Sequence, residues 1–313
     1  MPDDHGRAAG VHGREGVVSS LRAAILITLL IFAVEVAGGY LSGSLSLVSD
    51  AVHMLGDLFA LLLSLAAVLL ARQLPTRART YGYHRAEVLA AFVNGLVLVA
   101  VTAGILLSAA ERLRSPPEIE GPVMLGVAAV GLGANIIVIT RLHGHGGLGV
   151  RSALLHVVSD TLSSAAVVAA GVVIVVTGLV VIDPILSVLI ALLVLASAVR
   201  LLRETTAILL QFTPRGLDLE AVIAAIEEVD GVKSVHDVHV WALSTDLFVL
   251  DGHVVTTVST MLEVEGIKTS IKNRLRRMGI AHVTLEFESI PCEGCVIQDP
   301  DLVPDMDAHD HLH

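Results

Sequence analysis

Two histidine and aspartate pairs recur with one spacing in this chain. His53 and Asp57 lie in the run SLVSDAVHMLGD, and His156 and Asp160 lie in SALLHVVSDTLSS. A separation of four puts both members of a pair on one helical face, about one turn apart. If the two faces meet, two imidazoles and two carboxylates surround one point. That N2O2 set suits divalent zinc, which accepts a tetrahedron without any electronic preference for geometry. Both ligand types bind metal when deprotonated, so protons compete for the same atoms, and two carboxylates offset the charge of the ion in a low-dielectric surrounding. A centre loaded with metal toward one compartment and protonated toward the other lets a proton gradient drive metal outward. The alternative is a set of helix-packing polar residues bonded to one another, which leaves the repeated spacing as coincidence.

The elements that must position these groups are long and apolar. Hydrophobic residues make up 54% of the 313, and the mean hydropathy is +0.78, too apolar for an ordinary soluble domain. Six segments, about 21–41, 46–71, 88–110, 121–141, 151–177 and 184–203, have the length to cross a hydrocarbon core; at 1.5 Å of rise per residue, roughly 20 residues span about 30 Å. The first follows a polar leader and precedes further spans, so it reads as a retained helix and not a signal peptide. Polar groups at such depth are costly, and each is a functional hypothesis. Glu35 in the first span and Asn94 in the third either line a water-filled access route or serve as structural hydrogen-bonding groups. Asp50, one turn before His53, is placed to steer ions to or from the centre, and Asp183 before Pro184 reads as the cap of its own helix.

Arginines fix the expected orientation. Arg7, Arg14 and Arg22 precede the first span, Arg72, Arg77, Arg79 and Arg85 separate the second and third, Arg141 and Arg151 the fourth and fifth, and Arg200 and Arg203 leave the sixth. Residues 41–45 and 178–183 carry no Lys or Arg, and in 111–120 three glutamates offset Arg112 and Arg114. Both termini are therefore expected in the cytoplasm.

After the last span the texture changes. A short amphipathic helix follows Asp218 and ends at Gly231, strands are expected over 234–243 and 247–258, a helix over about 262–278 and a third strand over 281–289. This pattern predicts a small cytoplasmic α+β domain with helices over one face of an antiparallel sheet. The expected organisation is a leader at 1–20, a six-helix transmembrane domain at 21–207, the α+β domain at 208–291 and an acidic Cys/His-containing tail at 292–313, of which 299–313 should be disordered. The net charge of -11 disfavours nucleic acid as a partner, because phosphate binding needs a positive footprint.

Several stretches resemble the cation diffusion facilitator family, and within it the zinc exporters: GSLSLVSDAVHMLGD at 43–57, YGYHRAEVLAAFVNG at 81–95, LLHVVSDTLSS at 154–164 and SVHDVHVWALSTD at 234–246. The likeness runs from the first span through residue 295. It implies that His53, Asp57, His156 and Asp160 are the transport-site ligands of a zinc/proton antiporter working by alternating access. Histidine at the first position looks like the branch that prefers zinc and handles cadmium poorly. The resemblance further implies a homodimer in the lipid bilayer, and the short histidine loop at 143–147 fits a bacterial inner (plasma) membrane. It also implies a ferredoxin-like, metallochaperone-like soluble domain that binds zinc in a structural or regulatory role.

Candidates for that second zinc are His236, His253 and His282, with His239 competing for the place of His236 and Glu286 or Glu288 as carboxylate. Strand alternation puts His282, Glu286 and Glu288 on one face. Surface or sheet-packing histidines are the alternative. Cys292 and Cys295 form one Cys-x-x-Cys pair, which suits zinc if two more ligands arrive. His143 and His145 are either weak, fast-exchanging loop ligands or parts of a connector. Two other functional classes compete with antiport: a membrane-bound metal sensor or scaffold without transport, and a zinc channel.

Overall fold

The computed structural model describes residues 5–70, 76–77, 79–142 and 148–291, without the side chains of 5–21, 23, 64, 67–70, 138–142, 148–157 and 159. His143, His145, Cys292 and Cys295 lie outside the described residues. The chain divides into two units, Met1–Thr205 and Thr206–His313.

The first unit is helical: α1 (His5–Ser42), α2 (Leu45–Leu70), α3 (His84–Arg114), α4 (Gly121–Leu142), α5 (Leu148–Thr177) and α6 (Ile182–Leu209). Gly43 and Gly178, with φ of +71° and +72°, take the left-handed conformation that ends α1 and α5. Among the described residues five stretches are long and apolar enough to cross a membrane: Ala24–Ser42, Leu45–Leu63, His84–Arg114, Asp160–Thr177 and Ile182–Leu209. The expected fourth span is represented by the shorter apolar stretch Gly121–Ile137. The chain is thus a multi-pass, mostly helical membrane protein with a small α+β unit after it.

Small residues let these helices approach. A Cβ on Gly38 would lie 2.5 Å from Val127 Cγ2, so α1 and α4 pack closely there. Helix α1 also packs on α2, α4 on α5, α2 on α3, and α2 meets α5. Leu98 and Ile105 of α3, Val167 and Ile174 of α5, and Ile190 and Val194 of α6 share one buried apolar cluster with Leu47 and Val52 of α2. Leu, Ile and Val dominate the exposed positions of α1, α3 and α6, as lipid-facing surfaces require.

Asp183 does cap a helix, but not the one expected. It lies within the first turn of α6, and its fully buried carboxylate accepts from the first turn of α2 instead. Leu45 N (2.7 Å), Ser46 N (3.0 Å), Ser44 Oγ (2.6 Å) and Ser46 Oγ (2.7 Å) all donate to it. Arg112, at the end of α3, stands 3.8 Å away and also donates to the Gly43 carbonyl. The orphan N–H groups of a helix start attract an anion from wherever the fold can bring one. Here the anion comes from a residue distant in sequence.

The second unit runs α7 (Leu219–Glu227), β1 (Val232–Ser244), β2 (Leu247–Thr256), α8 (Met261–Arg277) and β3 (Ile280–Glu288). Asp218 caps α7 through Glu220 N, and Thr260 and Glu263 form a reciprocal capping box on α8. Val222 and Ile226 of α7 and Ile267, Ile271 and Leu275 of α8 bury against Val240, Leu250, Val254 and Val283 of the sheet. Strand order is β1-β2-β3. Strands β1 and β2 pair antiparallel, but β2 and β3 pair parallel, which corrects the expected all-antiparallel sheet. The reason is α8, which carries the chain back to the end where β2 began, as a crossover helix must.

Candidate metal centres

In the first unit α2 and α5 bring one histidine and two aspartates together. His53 Nε2 stands 3.2 Å from Asp160 Oδ1, and ligand atoms of His53, Asp57 and Asp160 all lie within 4.8 Å of one another. The two facing side chains keep 28% and 18% of their surface exposed, so the cluster is reachable and not sealed. His156 lies in α5 one turn before Asp160, and its side chain is outside the described residues. The spacing of four thus does what helical periodicity dictates, and the pairing of a histidine on one helix with an aspartate on the other follows from the meeting of the two faces.

Around this cluster the polar residues fall into two groups. Asp50 is buried and held, accepting from Ser163 Oγ at 2.5 Å and Ser164 Oγ at 3.4 Å, while Asn135 Nδ2 of α4 donates to Ser164 Oγ at 3.1 Å. Sequence reasoning missed Asn135 and the role of the two serines; each belongs to a chain of donors ending on Asp50. Glu35 is 1% exposed, its Oε2 has no hydrogen-bond partner among the described residues, and a Cβ on Gly131 would lie 2.6 Å from its Oε1. Asn94 lines a cavity of about 290 Å³ together with His53, Gly56, Asp57 and Ala198. That cavity runs beside the middle of α2, from His53 to Leu63, the N-terminal half of α3 and the C-terminal half of α6.

The second unit holds a separate cluster. Glu288 joins two imidazoles, with Oε1 2.9 Å from His253 Nδ1 and Oε2 3.3 Å from His236 Nε2. The rings lie edge to face with centroids 5.2 Å apart. Ligand atoms of His236, His253 and Glu288 lie within 4.8 Å of one another. His253 Nε2 faces Glu286 Oε2 at 3.8 Å and Asp237 Oδ2 at 3.9 Å. His239 approaches Asp251 at 3.3 Å and Asp237 at 3.7 Å. His282 is exposed, pairs in register with Val249, and is not one of the three converging residues.

A bulge in β1 explains why both His236 and His239 join this face. His236 pairs with His253 and His239 with Asp251, so three steps on β1 oppose two on β2. Asp237 takes φ +49° to absorb the extra residue. Without it, residues an odd number apart would point to opposite faces. The bulged Val238 passes so close to β2 that a Cβ on Gly252 would lie 3.3 Å from its Cγ2.

Membrane-length helices around an imidazole and carboxylate cluster, followed by a small α+β unit with a second such cluster, describe a polytopic protein of cation chemistry. Residues 21–210 match the cation efflux transmembrane domain and residues 214–290 match the cytoplasmic domain of cation efflux proteins; the chain belongs to the cation efflux, or cation diffusion facilitator, family. It is 36% identical over 294 residues to the cadmium, cobalt and zinc/H(+)-K(+) antiporter of Bacillus velezensis, covering 92% of each chain. It is 40% identical over 276 residues to the metal cation efflux system protein CzcD of Cupriavidus metallidurans, covering 88% of this chain and 87% of that one. It is also 40% identical over 286 residues to the zinc transporter ZitB of Escherichia coli, covering 90% and 89%.

Proposed function

We propose that the protein is a secondary transporter, not an enzyme, that exports Zn²⁺ in exchange for protons by alternating access. The observation that carries this reading is the approach of His53 on α2 to Asp160 on α5 with Asp57 beside them. His156, one turn from Asp160, completes four ligands. Imidazole and carboxylate release metal when protonated, so one centre serves both ions in turn. Relatives named as zinc transporters and proton antiporters support the choice of substrate and coupling ion.

Six spans form the membrane domain, since the 22 residues of α4 reach about 33 Å at the helical rise. Arginine placement puts both termini and the second unit on the cytoplasmic face of a bacterial inner membrane. On that topology the cavity beside Asn94 faces the cytoplasm and admits the ion, while Glu35 and Asp50 lie toward the outer side as parts of the exit. The second unit binds Zn²⁺ through His236, His253 and Glu288, with Glu286 and His239 in reserve, and contributes to a homodimer. The match to the cytoplasmic dimer-type domain supports that partner.

Purified protein in liposomes with an imposed pH difference tests the reading. Zinc should move against the proton gradient, and Asp57→Ala or Asp160→Ala should abolish the movement. Zinc-dependent stabilisation without flux would instead mark a sensor or scaffold, and flux indifferent to protons a channel.

A further inference from the structure

Asn94 is the residue that neither the ligand set nor the packing explains. It lies on α3, 4% exposed, among apolar neighbours such as Leu98. Its Oδ1 is enclosed without a hydrogen-bond partner, and no side-chain hydrogen bond joins Asn94 to any described residue. Buried amides are almost always satisfied by protein or by ordered water. The same side chain lines the cavity that reaches His53 and Asp57. At the next residue α3 meets α6, where a Cβ on Gly95 would lie 2.8 Å from Leu202 Cδ2, so the backbone there has little room to withdraw the amide.

We propose that Asn94 is the hydration-shell acceptor for the ion approaching His53 and Asp57. This rests on the reading of that cluster as the transport site. A divalent cation arrives with bound waters whose hydrogens are strong donors. A neutral amide oxygen beside the ligands accepts from one of them while the carboxylates and imidazole displace the others. The amide can turn its oxygen into the cavity, because no protein donor holds it elsewhere. Its neutrality is part of the function: it holds a hydrated ion without adding a third negative charge that would resist release. Asn94 is therefore a positioning residue acting through metal-bound water, distinct from the ligands.

Zinc transport in proteoliposomes, with KM and kcat determined separately, tests the assignment in three variants checked for monodisperse purification. Asn94→Ala and Asn94→Leu should each raise KM about tenfold with kcat within about twofold of the parent, the scale of one hydrogen bond to a charge-polarised water. Asn94→Asp should move the other way, lowering both KM and kcat by roughly tenfold, because an added carboxylate binds the ion and its leaving state alike. A packing role would make Asn94→Leu harmless or stabilising and would give Asn94→Asp only a loss of folded protein. Unchanged KM in Ala and Leu, or a raised KM in Asp, overturns the proposal. Absence of zinc flux in the parent would instead overturn the reading of the transport site.

Discussion

On the proposed reading of the transport site, His53 is the ligand whose chemical type would set the metal preference. An imidazole offers one nitrogen in one direction, whereas a carboxylate can bind through both oxygens and so suits a larger ion with more ligands. His53→Asp should raise cadmium transport relative to zinc by about tenfold, a difference of one ligand contact. Parallel uptake of the two metals before and after the change checks this. If the parent already moves cadmium as well as zinc, histidine is not the discriminator. That His53 and Asp57 share one helical face was legible in the sequence, because helical geometry is local; that Asp160 meets them depends on α2 and α5 touching. The roles of Asn135 and Ser163 were not legible either, since their place depends on which helices touch.

At the scale of elements, the start of α2 is the clearest case of a distant cause. Ser44 caps α2 locally, its Oγ accepting from Leu47 N at 3.2 Å, and both the Ser44 and Ser46 hydroxyls also donate to Asp183 across the bundle. Removing an anion with four close donors leaves buried N–H and O–H groups unsatisfied, at a cost of roughly 3 kcal/mol or more. Asp183→Ala should therefore lower the thermal midpoint of the purified protein by several degrees, with Asp183→Asn between it and the parent. Equal midpoints for all three would mean that α2 is held elsewhere. No pattern within residues 178–190 announces this partnership, because the acceptor and donors are 137 to 139 positions apart. In the second unit the alternation of β1 was readable, but the bulge at Asp237 was not: one extra residue has no signature in the periodicity around it. The parallel pairing of β3 was available from the helix that precedes it, a crossover rule that strand alternation alone does not express.

The whole molecule carries two clusters of one chemistry in two separate units, His53 with Asp57 and Asp160, and His236 with His253 and Glu288. They should bind zinc independently. Equilibrium zinc binding to the intact protein should lose one class of site in Asp160→Ala and the other in His253→Ala, and the double variant should lose both. Loss of both classes on either single change would mean one shared site or a common loss of fold. Sequence composition revealed the helical membrane protein and the α+β unit alike, since apolar length and strand alternation are carried by many residues at once.

The carboxylate of Asp183 also has a consequence for how the chain is made. Helix α2, which carries His53 and Asp57, leaves the ribosome long before residue 183 exists. During that interval its first turn lacks the acceptor that it has in the finished protein. The last helix of the bundle thus completes the second, and a chain cut short before α6 would carry His53 and Asp57 on a helix whose first turn keeps only its local Ser44 cap.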